Sequence, residues 1–556
     1  MTVAVASRSS RTARRRWRLL RLLIGLPAAA ERGVSRFYSW TPLGRTRVGA
    51  IAQQTVAEGV RMKIALVFLA LIGVCVLGLP LTIQGDSTLT GAVQSYLSYA
   101  LTTVGFLLAI LTIFMSRTVS DELVGKQIMV LMTKPVARWQ YILGKWVGIC
   151  IFNAGFLTFT GFVVFGMVHY IAATHPPIEE IYGSTQMKGR ADEPGAPASA
   201  DRQRLQTEVL VARTATPFIL PDFTEAAEAE YQQRLKEGFY DLTRDYDPQE
   251  ERERLAGKAE AAWRVVQPLS RRLFQFEKVL CDRSADNEIQ IRYKAEVFGY
   301  PPDEILRAEW VIGDPSKGAA RYHAYTRHVI QRYQTIKVPA NCVAEDQTLT
   351  VMFINRNPYA NPEEYPIPEP LYPCTVQFIE SAPVECLFVV GTFEGNLARL
   401  LALMMCKLTF LAALGLLATS VFSWPVACLV SLAFYALAGM QSFLTEAIDP
   451  MDTADATVFS RLADFGRAAM AGDGAAASEA FQGFFLEGVG ESLGLLFYVI
   501  PNFARFNAVE VLVDGRNVSL VWVLQGIGQL VLVSTTLALG LAMLLFQRRE
   551  VAEISL

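Results

Sequence analysis

Histidine is scarce in this chain. Four residues in 556, His169, His175, His323 and His328, form no HExxH pattern and no Cys/His cluster, so no metal centre is read from them. The phosphate-cradling loop of a nucleotide hydrolase is missing as well. Three Gly-Lys pairs occur, at Gly125-Lys126, Gly144-Lys145 and Gly257-Lys258, but none has a glycine five residues upstream or a Ser or Thr after its lysine. No Gly-x-Ser-x-Gly elbow appears either. Charged residues make up only 19% and nearly cancel to a net −2, which gives no polyanion-binding role and no nucleic-acid partner. The many carboxylates of the middle third carry no catalytic spacing that sequence can establish, so no enzyme is supported.

What the chain has is apolar length. It is 52% hydrophobic with a mean hydropathy of +0.28, and the excess is gathered into blocks. Blocks of roughly 18 to 28 residues match a hydrocarbon core about 30 Å thick at 1.5 Å per residue. We expect six spans, at 64–83, 92–115, 146–171, 400–422, 425–441 and 519–546. The patch Leu493 to Ile500 is too short to cross and ends at Pro501, as a re-entrant or interfacial segment does.

Thirteen bases between Arg8 and Lys63 face only Glu31 and Glu58 ahead of the first span. The bias of Lys and Arg toward cytoplasmic segments puts the N-terminus inside. Six crossings return the C-terminus, with Arg548 and Arg549, to the same side. The early Leu19 to Ala30 stretch resembles a signal peptide, but Arg21 and Pro27 break it, and a basic arm lying on anionic lipid is the simpler reading.

These spans organise the chain. Residues 1–63 form a basic arm and an interfacial amphipathic helix. Residues 64–171 carry three transmembrane helices with a cytoplasmic loop at 117–145. Residues 172–390 form an extracytoplasmic insert, and 391–556 hold three further helices with an extracytoplasmic loop at 442–518. The insert divides into a Pro/Gly/Ala-rich linker at 172–200, a helical part at 201–284 and a β-rich part at 285–390. Helical composition covers Phe223 to Leu242 and Gln249 to Phe276, the second started by Asp247-Pro248. Alternation at 289–298, 333–338, 348–354 and 374–379 predicts strands of an antiparallel sandwich. The fold class is thus a polytopic all-α membrane domain of about six helices with a large extracytoplasmic α+β insert. Cys75, Cys150, Cys406 and Cys428 fall in spans as packing residues. Cys281, Cys342, Cys374 and Cys386 lie in the insert, where one or two disulfides are possible in an oxidising compartment.

The loop at 117–145 is an island of charge between two uncharged stretches. Glu122 and Lys126, four apart, pair on one face if the segment is helical. Lys134-Pro135 stops that helix, and Val136 to Lys145 starts the next. Such a helix–turn–helix elbow is a lever for rigid-body coupling. The plainer reading is a solvated positive-inside loop. Lys407 is the one ionisable residue well inside a span. From a span starting at Leu400 it stands about two turns from the outer end, within snorkelling reach, and a pathway role is the alternative. Glu446, Asp449, Asp452 and Asp455 read as a solvated loop or a cation-attracting mouth.

Several segments together resemble one family. Ile51-Ala-Gln-Gln-Thr-Val-Ala-Glu-Gly-Val-Arg61 precedes the first span; Glu122, Gly125, Lys134-Pro135, Arg138 and Gly144-Lys145 mark the loop. Ala418 to Ala427 lies between spans four and five, and Ile500 to Phe506 stands ahead of the last, which ends Phe546-Gln-Arg-Arg-Glu550. In order and spacing these are similar to the permease subunits of type-2 ABC exporters. Lys126 departs from the family's more usual threonine, and the insert exceeds that of the shortest members. The resemblance implies a cytoplasmic amphipathic helix before span one and an ATPase-docking loop whose coupling residues are Glu122, Gly125, Lys134, Pro135, Arg138, Gly144 and Lys145. It further implies a cytosolic ATPase subunit holding ATP and Mg, with no cofactor in this chain. A homodimer or a heterodimer with a second permease would sit among lipids of a bacterial inner membrane. The expected function is export through a pathway that includes Lys407. The alternative is a membrane-anchored binding or force-transmitting component driven by an ATPase without transport.

Overall fold

The computed structural model describes residues 46–61, 63–82, 89–125, 136–174, 202, 205–237, 247–284, 287–299, 304–330, 333–357, 374–378, 384–448 and 500–548. The basic arm up to Arg45, Lys126, Lys134, Pro135, His175, the acids at 449–455 and all of the patch Leu493 to Ile500 except Ile500 itself lie outside these residues. In chain order the described α-helices of eight residues or more are Arg47–Arg61 (α1), Lys63–Thr82 (α2), Leu89–Met115 (α3), Arg117–Val124 (α4), Arg138–Thr174 (α5), Thr224–Lys236 (α6), Pro248–Trp263 (α7), Phe393–Val421 (α8), Trp424–Ile448 (α9) and Leu520–Arg548 (α10). The last is interrupted by a π-helical stretch at Ile527–Thr535. Two compact units result, one of Met1–Leu210 with Thr392–Leu556 and one of Val211–Gly391.

In the first unit five described helices are long and apolar enough to cross a membrane. They become six if α1 and the following Ile64–Gly78, bent 64° to each other, count as one broken span. The remaining expected span appears as the 20-residue helix α2. Helices answer the apolar runs because a segment in hydrocarbon must satisfy its own backbone, and only a helix does so alone. The centre is α8, 72% of whose apolar window is buried, with Leu400, Leu403, Leu411, Ala412, Ala413 and Leu416 all in the core. A polar pair joins α3 to α5 inside the bundle, where Asn153 Nδ2 donates to Thr112 Oγ1 at 2.9 Å. The first turn of α8 is clamped to the loop before α10. Asn396 donates to the Arg516 carbonyl and accepts from Val518 N–H, each at 2.7 Å, and Arg399 donates to Asn517 Oδ1 at 2.6 Å.

Helix α1 lies along α5, and two glycines set how closely. A Cβ on Gly144 would stand 2.7 Å from the Cβ of Ile51, and one on Gly148 would stand 2.6 Å from that of Thr55. Gly144-Lys-Trp-Val-Gly148 is a small-xxx-small stripe, the sequence that lets helix backbones meet in membranes.

The second unit contains three antiparallel sheets with orders β1-β11-β4-β8, β3-β9-β6-β7 and β2-β10-β5. Their strands are Val211–Pro217 (β1), Val265–Val266 (β2), Arg271–Phe276 (β3), Glu288–Tyr293 (β4), Glu296–Phe298 (β5), Ile305–Ile312 (β6), Tyr322–Val329 (β7), Gln334–Pro339 (β8), Leu349–Asn355 (β9), Thr375–Gln377 (β10) and Val384–Thr392 (β11). The four expected strand regions are all present. One core serves the sheets, and a chain of tilted and edge-to-face rings runs through it. Phe274 meets Phe378 at 5.2 Å, Phe378 meets Phe353 at 5.3 Å, Phe353 meets Trp310 at 4.9 Å and Trp310 meets Tyr293 at 4.6 Å between centroids.

Helices α6 and α7 pair through Ala227, Tyr231 and Leu255 and through ion pairs such as Arg252 to Glu228 at 2.6 Å. Asp247 caps α7 by accepting from Gln249 N–H at 2.8 Å, with Pro248 in the first turn, as its sequence implies. The helix expected to reach Phe276 ends at Trp263 instead. Phe274 and Phe276 alternate into the aromatic core, so tertiary burial overrides the helix-favouring arginines beside them. No disulfide joins the insert's four cysteines, for which one or two were possible; Cys342, Cys374 and Cys386 are buried core side chains. Burial pushes the Cys342 thiol up to about 11 and Cys386 further.

Candidate functional site

The charged loop folds back onto the bundle. Helix α4 follows α3 after a single break at Ser116, whose hydroxyl donates to the Ile113 carbonyl at 2.6 Å. Arg117 pairs with Asp121 at 2.9 Å and lays its guanidinium 4.8 Å from the centroid of the Trp424 ring. Gly125 ends the helix, donating its N–H to the Asp121 carbonyl at 2.9 Å. Lys126, expected to pair with Glu122, lies outside the described residues.

Glu122 takes other partners. Its Oε1 receives the ammonium of Lys145 at 2.7 Å and its Oε2 accepts from the Tyr141 hydroxyl at 2.5 Å. Lys145 Nζ also reaches Glu58 Oε2 on α1 at 3.0 Å. The lysine side chain is 1% exposed and Glu122 12%, so this is a buried ion pair with a second carboxylate at its edge. Breaking such a pair by removing one partner costs about 3–5 kcal/mol, since the remaining charge is stranded. Two turns before Lys145, Arg138 donates to the Gln547 carbonyl at 2.7 Å and lies 3.5 Å from that of Phe546, neutralising the C-terminal end of α10. Tyr141 stacks on Phe546 with centroids 5.6 Å apart. Surface helix, loop helix, third long helix and last helix are therefore tied at one end of the bundle.

No known protein family, curated protein or solved structure matches this chain.

The functional reading rests on the side chains alone. Of the residues marked in the sequence, Glu122 and Lys145 touch each other, Gly144 seats α1 beside them, Gly125 ends the loop helix and Arg138 binds the last helix. Lys134 and Pro135 lie outside the described residues. Glu58, Tyr141 and Gly148 belong to the same cluster and are not singled out by sequence. Tyr141 had a readable signal, since it stands four residues before Lys145 on one helix face, and the Gly144/Gly148 spacing was another. Glu58 had none stronger than being the lone acid of α1. The exposed charges are different residues again: Asp121 is 57% exposed on the outer face of α4.

Lys407 stands at mid-helix. Because α8 begins at Phe393, Lys407 is fifteenth of its 29 residues, about 21 Å from the start at 1.5 Å per residue. The two turns that precede Leu400 carry Glu394, Asn396 and Arg399. No hydrogen bond or ion pair reaches its ammonium from any described residue. It lines a cavity of about 330 Å³ between α3, α8, α9 and the segment 503–509.

The histidines of the second unit do not converge on a metal. His323 Nδ1 lies 3.4 Å from Glu309 Oε1, while His328 Nδ1 is 2.7 Å from the Tyr293 hydroxyl. Glu309 is held principally by Arg356 at 2.6 Å.

Proposed function

We propose that this chain is the permease subunit of an ABC transporter of the type-2 class, working as an exporter and driven by a separate cytosolic ATPase. One observation carries the reading: Lys145 clasps Glu122 and Glu58 at once, which fastens the loop helix and the amphipathic helix to α5. A push on that elbow passes to the whole bundle, because a buried, fully paired charge does not yield by small steps. The cluster acts as a positioning device and leaves contact with the ATPase to exposed neighbours such as Asp121. The missing phosphate loop is consistent with a fuel-burning partner. In this reading the elbow and both termini are cytoplasmic, the β unit lies outside a bacterial inner membrane, and the chain pairs with a second permease, itself or a relative.

The expected alternative, force transmission without transport, favours a dry interface between spans. The cavity at Lys407 weighs toward transport.

The test is co-purification of the full chain with a cytosolic ABC ATPase from the same cells, followed by ATP hydrolysis in lipid nanodiscs. Asp121→Arg reverses an exposed charge and should weaken ATPase binding and stimulation by about tenfold, a typical rim-charge effect at low salt, with the thermal midpoint unchanged. An ATPase that binds and is stimulated equally by native chain and by Asp121→Arg combined with Arg117→Glu would end the coupling assignment.

A further inference from the structure

A lysine in the middle of an apolar helix is costly to bury, and the groups around it normally betray why it is kept. Lys145 shows what a satisfied one looks like. Lys407 has no such partner among the described residues, and its cavity supplies little polarity: Leu, Met, Phe and Ala dominate the wall, and Tyr435 and Asn507 are among the few polar side chains. Two walls reach the outside. Phe106 on α3 is 49% exposed and Met440 on α9 is 52% exposed, so the space opens sideways between two helices long and apolar enough to span a bilayer. Its volume lies at the lower end of the range for ligand sites.

We propose that this cavity binds an anionic amphiphile, a carboxylate or phosphate head meeting the Lys407 ammonium and the apolar wall covering the first part of the chain. Each half of the site excludes a simpler ligand. A neutral lipid would leave the ammonium unsatisfied, and a small inorganic anion would lack the several donors that replace its hydration. The lateral opening delivers a ligand already dissolved in the membrane. As a substrate class for export this rests on the permease reading; as a binding site it stands by itself, and its test involves no ATPase.

The experiment uses the full chain in phosphatidylcholine nanodiscs with radiolabelled palmitate, hexadecanol and inorganic phosphate as probes. Palmitate should bind saturably and exceed hexadecanol and phosphate by about ten- to a hundredfold, the range of a charge-assisted hydrogen bond. Lys407→Met should erase that preference and Lys407→Arg should keep it. Gly105→Leu should lower palmitate binding while sparing the fold, because a Cβ there meets only Met404 Cε at 3.8 Å and the added branch enters the cavity. Competition by phosphatidylglycerol nanodiscs would identify a bilayer phospholipid as the source of the head group; its absence would assign a single-chain amphiphile. Equal binding of palmitate and hexadecanol by the native chain overturns the proposal, whether or not the Lys407→Met chain folds. So does phosphate bound as tightly as palmitate, or palmitate held undiminished by Lys407→Met. Loss of the site in this assay would leave ATPase coupling to its own measurement.

Discussion

Two lysines lie within the apolar bundle and could hardly be treated more differently. Lys145 is enclosed at one end of the bundle by two carboxylates, 2.7 and 3.0 Å away, and Tyr141, which shares its Glu122 partner, presents its ring 5.9 Å from the ammonium. Lys407 stands at mid-helix beside open space, and no described side chain pairs with it. A saturated charge fastens elements together, because separating the partners strands one of them in a low-dielectric setting. An unsaturated charge adds nothing to the fold and is held ready for something else. The contrast assigns a structural task to the first and a ligand to the second.

The largest expected effect separates them directly. Lys145→Met should destabilise the detergent-solubilised chain by about 3–5 kcal/mol, read from its unfolding midpoint, because Glu122 stays buried beside Glu58 without a counter-ion. Adding Glu122→Gln should recover much of the loss, since the stranded charge is then gone. Lys407→Met should cost nothing measurable. Equal damage from the two methionines would erase the distinction.

That distinction was half visible in the sequence. The apolar runs announced the helices because a span must meet its own hydrogen bonds, and the charge island announced the elbow. Helix ends were less legible. The first turns of α8 contain Glu394, Asn396 and Arg399, which look like loop residues until Asn517 and the Arg516 carbonyl arrive from the far side of the sequence to pair with them. Reading the start seven residues late left these polar turns out of the helix. Glu122 and Lys145 were marked separately, but the partner expected for Glu122 was Lys126, four residues on. The partner it has is 23 residues away, and Glu58 lies 87 from the same lysine. Long-range pairing leaves no periodic trace. In the second unit the alternating segments were legible as strands, while Arg271–Phe276 was not, because its arginines suit a helix and only the aromatic core asks for a strand.

A second way to sharpen the comparison acts on packing. Glu58 reaches Lys145 only because α1 can press against Gly144 and Gly148. Gly148→Leu should overpack that contact at a cost of about 1–3 kcal/mol and draw Glu58 away. Its effect should be less than additive with Glu58→Gln in a double-mutant cycle, since both then lose the same ion pair. Full additivity would mean that the glycine stripe and the charge cluster are independent.

Arg138 tests whether carbonyls alone suffice as partners. Arg138→Gln withdraws the cation from the end of α10 and should cost about 0.5–1 kcal/mol, with faster amide exchange confined to the last turn of that helix. Exchange that spreads to α1 would show that the clasp and the cap form one cooperative unit rather than two neighbours.

The smallest effect carries the same logic into the β unit. His328 sits against Tyr293, and burial holds its imidazole below the ordinary histidine value. Its folded form therefore resists the proton more than its unfolded form does. As pH falls through the unfolded value of about 6.5, the unfolded chain binds more protons and stability declines, the loss being complete below the depressed folded value. Amide exchange in β6 and β7 of the intact chain should accordingly quicken between pH 7 and pH 5. His328→Gln keeps a polar partner for the tyrosine and removes the titration, so it should flatten that part of the profile while the exposed carboxylates Asp314 and Asp346, held low by Ser316 and Thr348, act only at more acidic pH. A profile unchanged by the substitution would show that imidazole burial is not what the strands feel. A flattened one would make His328 the intermediate case between the two lysines: a half-buried titratable group with one neutral partner, whose uncharged form the fold favours.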